Sequence, residues 1–254
     1  MKVSIVMPMY NALPYVKASV ESVLKQTHSD WELLIIDDCS SDGSSDVAST
    51  FANSDLRIRY VKNTKNLGVA ETRNVALNMA TGGLVAFLDS DDCWLPDKLA
   101  LQVKYMCKNQ AKITYSSYAR YSEAGVFLGV VHPKANIGFK DMLYRNQIGN
   151  LTGMYLRSAL PALRFKNTGH EDYLFWAEAI KTVGTASLTP SDKPLANYLV
   201  RDNSLSGNKF KAALWQWNNY RANLKLSFID SVYYFSCYAL VSVYSRITAR
   251  KDIA

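Results

Sequence analysis

Short, almost wholly apolar runs that stop at turn or acidic residues are the feature that most constrains this chain. Val3 to Met7 breaks at Pro8, Leu33 to Ile36 runs into Asp37-Asp38, and Leu84 to Leu88 runs into Asp89-Ser90-Asp91-Asp92. Runs apolar at nearly every position, not at alternate ones, suit strands buried on both faces of a parallel sheet. Between them, Leu13 to Gln26 carries Val16, Val20, Val23 and Leu24 at helical spacing. A further strand is predicted at Arg57 to Lys62, and a helix at Ala70 to Ala80 before the Gly82-Gly83 break. This β-α-β-α-β-α-β order implies right-handed crossovers and a crevice at the carboxyl ends of the strands, where ligand chemistry should sit.

With 254 residues, 48% of them hydrophobic, the chain can bury a sizeable core, which excludes disorder and a disulfide miniprotein. One large α/β unit with a short appendage fits this length. Cys39, Cys93, Cys107 and Cys237 form no C-x-x-C pair, which removes zinc-finger readings and points to a reducing compartment. The N-terminus reaches Pro8 too early for a secretory signal, so a cytoplasmic location is expected.

After Pro96 a helix is predicted over Asp97 to Asn109, then strands at Ile113 to Tyr118 and Phe127 to Val131. A polar loop at Pro133 to Lys140, a helical segment and a strand at Met154 to Arg157 follow. From Lys209 the chain reads as helical, with Leu214, Trp217, Leu224 and Phe228 on one face. Ser227 and Asp230 offer a capping-box-like start to a final helix through Ile247. From Asp192 onward nine basic residues stand against four acidic ones, so +5 of the net +7 lies in the last quarter. A basic tail suits nucleic acid, an anionic bilayer or a phosphorylated substrate, or is a solvated face. The window Phe228 to Ile247 contains Asp230 and Arg246 and is weak as a membrane span, though it suits a helix lying on a membrane. Packing on the core, or pairing between two copies in a homo-oligomer, are the alternatives.

The acidic ends carry the chemistry. Asp37-Asp38-Cys39-Ser40-Ser41-Asp42-Gly43-Ser44 makes a rim of acceptors suited to a base edge or ribose hydroxyls, or else an acidic Asx-type turn. Asp89, Asp91 and Asp92 leave a buried strand together, and their repulsion calls for a cation such as Mg²⁺ or Mn²⁺; a helix-capping turn is the alternative. Glu171-Asp172, after Gly169-His170, heads an apolar helix, where the helix dipole alone would favour acidic residues.

Five stretches in order carry a resemblance: Val3-Ser4-Ile5-Val6-Met7-Pro8-Met9-Tyr10-Asn11; Ser22-Val23-Leu24-Lys25-Gln26-Thr27; the Asp37 to Ser44 run; Asn66-Leu67-Gly68 with Arg73-Asn74; and Asp89-Ser90-Asp91. Together they resemble family 2 glycosyltransferases of the GT-A fold, over residues 3 to 96 and more loosely to Ser206. The resemblance implies a Rossmann-like, mostly parallel sheet flanked by helices. It divides the chain into a nucleotide-sugar-binding half (1–96), an acceptor-binding half (97–206) and basic aromatic C-terminal helices (207–254).

It also implies a nucleotide-diphospho-sugar donor, usually a UDP-sugar. Pro8, Tyr10, Asp37 and Asp38 would hold the base and ribose, with Arg73 at the nucleotide, Asp89 and Ser90 near the ribose and Asp91 on Mn²⁺ or Mg²⁺; Asp92 is an extra acid beside that ligand. Asp172 would be the general base, supported by Glu171, with His170 a second base or a capping residue. Arg201 in Arg201-Asp202-Asn203-Ser204-Leu205-Ser206 would clamp the diphosphate. The implied reaction is a metal-dependent inverting transfer to a saccharide acceptor, polyprenyl-diphosphate-linked, in O-antigen or capsule polysaccharide synthesis. The enzyme would stand at the inner face of the cytoplasmic membrane. A nucleotidyltransferase is the enzymatic alternative, but its Gly-rich signature is missing. A nucleic-acid-binding module is disfavoured because a phosphate groove wants Lys and Arg, not five Asp.

Overall fold

The computed structural model describes residues 1–201 and 209–251, with side chains for 1–201 and 210–240. Strands β1 (Val3–Met9), β2 (Trp31–Asp37), β3 (Ile58–Lys62) and β4 (Leu84–Phe87) lie parallel in the order β3-β2-β1-β4. Helices α1 (Val16–Leu24), α2 (Ser44–Ser54) and α3 (Val69–Met79) make the crossovers. Every residue of β1, β2 and β4 is buried, which is why their sequences are apolar at nearly every position, with Ser4, Glu32 and Asp37 as the buried polar exceptions. Alternate residues feed two cores: Val6, Leu34, Ile36 and Phe87 pack on one face of the sheet, and Ile5, Met7, Leu33 and Ile35 on the other.

The second half is more broken. It runs through β5 (Cys93–Trp94), α4 (Lys98–Asn109), β6 (Ile113–Tyr115), β7 (Tyr118–Ser122), β8 (Phe127–Val131), β9 (Asn136–Gly138), α5 (Phe139–Tyr144), β10 (Met154–Leu156), α6 (Glu171–Val183), β11 (Thr185–Leu188) and β12 (Ala196–Val200). Antiparallel β10 joins β4 and carries the main sheet on through β6, β11 and β9, while β5, β12, β7 and β8 form a second sheet. The single strand expected over Ile113 to Tyr118 is therefore two strands in different sheets, parted at Ser116-Ser117. The expected polar loop at Pro133 to Lys140 holds β9 and the start of α5, where Asp141 accepts from the Gly138 N–H (2.9 Å) and Lys134 Nζ (2.7 Å).

At the C-terminus α7 (Lys209–Asn218) continues through a π-helical turn, Asn219–Asn223, before α8 (Phe228–Lys251). The extra residue per turn shifts the helical register. Leu214, Trp217, Leu224 and Phe228 therefore do not share one buried face: Leu224 is buried, whereas Leu214 and Phe228 are exposed. The expected cap is present, with the Asp230 N–H donating to Ser227 Oγ at 3.0 Å and Ser227 Oγ donating to Asp230 Oδ2 at 2.7 Å. The Ser204 and Ser206 motif positions and the expected boundary at 206 lie outside the described residues.

One motif is structural in this fold. Ser22 Oγ accepts the Trp94 N–H (3.1 Å), Gln26 bonds both the Leu95 carbonyl (2.8 Å) and the Leu99 N–H (3.0 Å), and Thr27 donates to Asp97 (2.9 Å). These bonds tie the end of α1 to the start of α4 and fix the segment that follows the acidic end of β4.

Candidate active site

Two carboxylates, Asp37 and Asp38, build the rim at the end of β2. Asp38 accepts the N–H groups of Leu67 and Gly68, both at 2.8 Å, and Asn63 Nδ2 at 2.9 Å. It thereby shapes the Asn66-Leu67-Gly68 turn, whose Gly68 takes φ +82° ahead of α3, a conformation that favours glycine. Asp37 is fully buried; burial opposes its ionisation, but donors from Ser40, Ser45 and Tyr60 hold its carboxyl below the usual carboxylate range. Pro8 is buried inside β1, while the Tyr10 ring just beyond it is 55% exposed. Asn11 fastens this strand end to the acidic turn, donating its N–H to Ser40 Oγ (3.0 Å) and accepting the Ser41 N–H (2.9 Å). Of the residues expected to hold base and ribose, Tyr10 presents an open side chain, and Asp37 and Asp38 brace the rim from within.

The end of β4 separates its acids. Asp92 is buried and accepts the Leu199 N–H of β12 at 2.9 Å, so it holds the two sheets together. Ser90 is buried, its carbonyl taking a hydrogen bond from Ser19 Oγ. Asp91 stands at the rim, 3.3 Å from Arg201 Nη1. Burial first, and then Asp89, raise the Asp91 carboxyl above its ordinary range, with Arg201 offsetting part of this. Among the described residues no group of three or more His, Cys, Asp or Glu side chains gathers as a metal site. A cation here must therefore take most of its shell from substrate and water, as Mg²⁺ and Mn²⁺ do beside one or two carboxylates. A rim carboxylate crowded by like charge fits that demand.

Arg73 joins the two halves of the site. Its guanidinium donates to Asp89 (2.7 Å) and to Glu171 (2.8 Å), with the side chain only 5% exposed and packed at 5.1 Å from the Phe165 ring. Its neighbour Asn74 makes a two-way bond with Phe165, donating to the carbonyl (2.9 Å) and accepting the N–H (2.8 Å). So the Arg73-Asn74 pair seats the loop leading to α6 onto α3. Arg73, expected at the nucleotide, is committed to two carboxylates, and Asp89, expected at the ribose, is one of them.

Glu171 and Asp172 head α6 after His170, which sits in the left-handed region at φ 56°. Glu171 turns to Arg73, whereas half-buried Asp172 faces Asn146 Nδ2 at 3.4 Å. Burial, reinforced by Glu171 and opposed by Arg73, raises the Asp172 carboxyl above its ordinary range. His170 lies edge-on to Trp215 (5.5 Å between ring centres), with Nδ1 3.4 Å from Gln216, so it contacts α7. Gly169 is required here, since a Cβ would fall 1.9 Å from the Trp215 ring.

Sequence reading missed the aromatic wall between these charges. Tyr118 and Tyr198 stand edge to face at 6.0 Å. Burial raises the hydroxyl pKa of both; Asp92, Asp89 and Asp91 add to the effect at Tyr198, and at Tyr118 Arg120 and Arg145 oppose it while Asp92 and Asp172 add to it. Only the pairing of β7 with β12 brings these rings together, at Ala196↔Tyr118 through Val200↔Ser122. Tyr198 lies in β12, a five-residue strand without regular alternation, which gave no sign of it.

A parallel half-sheet ending in acidic turns, faced by a helix that opens on a carboxylate, is the GT-A class of glycosyltransferase fold. Residues 4–160 match the family model for glycosyl transferase family 2, and the chain belongs to that family. It is 36% identical to the putative teichuronic acid biosynthesis glycosyltransferase TuaG of Bacillus subtilis, over 96% of this chain and 97% of that one. It is 37% identical to WfgD of Escherichia coli, named as a UDP-Glc:alpha-D-GlcNAc-diphosphoundecaprenol beta-1,3-glucosyltransferase, over 85% of this chain and 84% of that protein. Among solved structures, S. aureus TarS 1–349 in complex with UDP-GlcNAc aligns with a TM-score of 0.72 at 21% identity, covering 94% of this chain and 72% of that one. No helix among the described residues is long and apolar enough to cross a membrane.

Proposed function

We propose that this glycosyltransferase moves one sugar from a UDP-sugar, with inversion, to a hydroxyl of a saccharide carried on a polyprenyl diphosphate, in the cytoplasm at the inner membrane face. The product would serve a surface polysaccharide of the O-antigen or capsule kind. The observation that carries the reading is the placing of Asp172: a half-buried carboxylate of raised basicity opens α6, and Arg73 links its neighbour Glu171 to the acidic end of β4. The name of WfgD and the UDP-GlcNAc complex of TarS support the donor and acceptor classes.

In this reading Tyr10 receives the uridine on the turn that Asp37 and Asp38 brace from within, and the Tyr118–Tyr198 wall borders the sugar. Asp172 takes the proton of the acceptor hydroxyl as its oxygen attacks the anomeric carbon, and the bond from that carbon to the diphosphate oxygen breaks, releasing UDP. Glu171, held by Arg73, keeps its charge off the acceptor path. Arg201, at the mouth beside Asp91, turns to the leaving diphosphate. A divalent cation, held by Asp91 and the diphosphate oxygens, would neutralise the negative charge that builds on the leaving group. The test is a panel of UDP-sugars offered with a GlcNAc-diphosphate lipid, with the anomer of the product read by NMR. Transfer with the configuration opposite to the donor's is expected; retention would reject the single displacement, and hydrolysis without transfer would reject the acceptor.

A further inference from the structure

The α7–α8 pair leaves apolar side chains in solvent beside the acceptor end of the site. On α7, Phe210 is 77% exposed, and Leu214, one turn on, is also exposed. On α8, Ile229 (80%), Val232 and Leu240 (70%) are exposed at spacings of three and eleven from Ile229, one side of a helix, and the half-exposed Tyr233 beside them turns its hydroxyl to that of Tyr144 at 3.4 Å. Its other side is occupied: Ser231 and Tyr234 are buried, and Tyr234 meets Tyr144 of α5 at 5.1 Å. Trp217 wedges between the helices, against Phe228 and Phe235. So α8 has apolar residues on both sides in its first turns, which a helix merely covering a core does not need.

Charge and position say what covers the outer side. Residues 207–254 hold seven basic residues, Lys209, Lys211, Arg221, Lys225, Arg246, Arg250 and Lys251, against Asp230 and Asp252. Of these Lys211, Arg221 and Lys225 are exposed among the described side chains. Both helices rest on the two segments that flank Asp172. Trp215 of α7 packs on His170, one residue from the head of α6, and α8 packs on Tyr144, two residues before the Asn146 that faces Asp172. An exposed apolar surface on a segment with a cationic excess, built onto the acceptor mouth, is complementary to an anionic bilayer.

We propose that the exposed apolar side of the α7–α8 pair, centred on Ile229, Val232 and Leu240, seats on an anionic lipid surface, with the exposed Lys211 and Lys225 of the same segment adding charge attraction, and brings the acceptor mouth to it. This deepens the lipid-linked acceptor reading, on which it rests. Apolar contact supplies the seat, and the basic residues choose anionic over zwitterionic headgroups.

The test is flotation of the full chain with vesicles of phosphatidylcholine alone or doped with phosphatidylglycerol, at low and high salt. The wild type should float with the anionic vesicles and largely fail with the neutral ones. Ile229→Gln with Leu240→Gln should weaken binding by about tenfold or more, since each loses the burial of a large apolar side chain. Lys211→Gln with Lys225→Gln should erase the preference for the anionic lipid. Both variants should keep the wild-type thermal midpoint and transfer to a detergent-solubilised acceptor. A wild type that ignores anionic vesicles, or a double Gln variant that floats unchanged, overturns the surface. So does light scattering that shows a dimer broken by the same substitutions, because a second copy then covers the face. Vesicle binding without transfer to a diphospholipid acceptor would instead sink the acceptor reading and leave the surface standing.

Discussion

Asp172 and Glu171 are adjacent in sequence yet answer to different neighbours, and the difference is set by Arg73. Because Arg73 spends its guanidinium on Asp89 and Glu171, Asp172 forms no ion pair among the described residues and faces the Asn146 amide at 3.4 Å, and burial keeps its carboxyl basic. In the proposed base role, that state gives an activity that falls as pH drops through the raised pKa, since the protonated acid cannot accept the hydroxyl proton. Asp172→Asn should therefore lower turnover by roughly 10² to 10⁴-fold while UDP affinity holds within a few-fold. Single-turnover transfer and calorimetry read the two separately. A near-wild-type rate would hand the base role to Glu171 or His170.

At the scale of elements, the strands are braced at both ends, and the brace at the end opposite the acidic turns gives a stability test. Glu32 of β2 accepts from Ser4 Oγ (2.6 Å), the Thr81 N–H (2.7 Å), Thr81 Oγ1 (2.8 Å) and Lys2 Nζ (3.1 Å). Burial opposes its charge, yet these donors hold its pKa at about 2. The folded pKa lies below the unfolded value of about 4.3, so the stabilisation is complete above that value and is lost as pH falls toward the folded one. Urea midpoints of the wild type and Glu32→Gln should thus differ at neutral pH and converge on acidification toward the folded value; a gap independent of pH would discard this brace. β1, β2 and β4 were legible because burial on both faces forces continuous apolar runs. β9 and the break at Ser116-Ser117 were not, since a three-residue strand leaves no period to read and β6 and β7 follow each other too closely for the change of sheet to show. The acidic motifs were visible as residue types, but not their division of labour: that Asp38 shapes a turn and Asp92 ties two sheets depends on Leu67, Gly68 and Leu199, far off in the chain.

For the whole molecule, the meeting of the two sheets at the end of β4 decides which acid is free to work. Pairing of β5 with β12 carries Leu199 to Asp92 and Arg201 to Asp91, so one carboxylate is spent inside and the other is turned to the mouth. Asp91 in turn is crowded by Asp89 and by burial, a state that a hard cation with diphosphate oxygens relieves. Calorimetric titration with UDP should accordingly give heat in Mn²⁺ and none in EDTA. Asp91→Asn should abolish the Mn²⁺-dependent heat, because the rim then lacks its anionic ligand. Asp92→Asn should keep it, because the amide oxygen can still accept the Leu199 N–H. Equal loss in both variants would mean that the two acids act as a joint ligand set, and full binding in EDTA would end the metal role. Arg201→Gln should tighten Mn²⁺ binding in the absence of UDP, since the cation no longer competes with a guanidinium 3.3 Å from Asp91. Unchanged Mn²⁺ affinity in that variant would show that the pair does not guard the mouth.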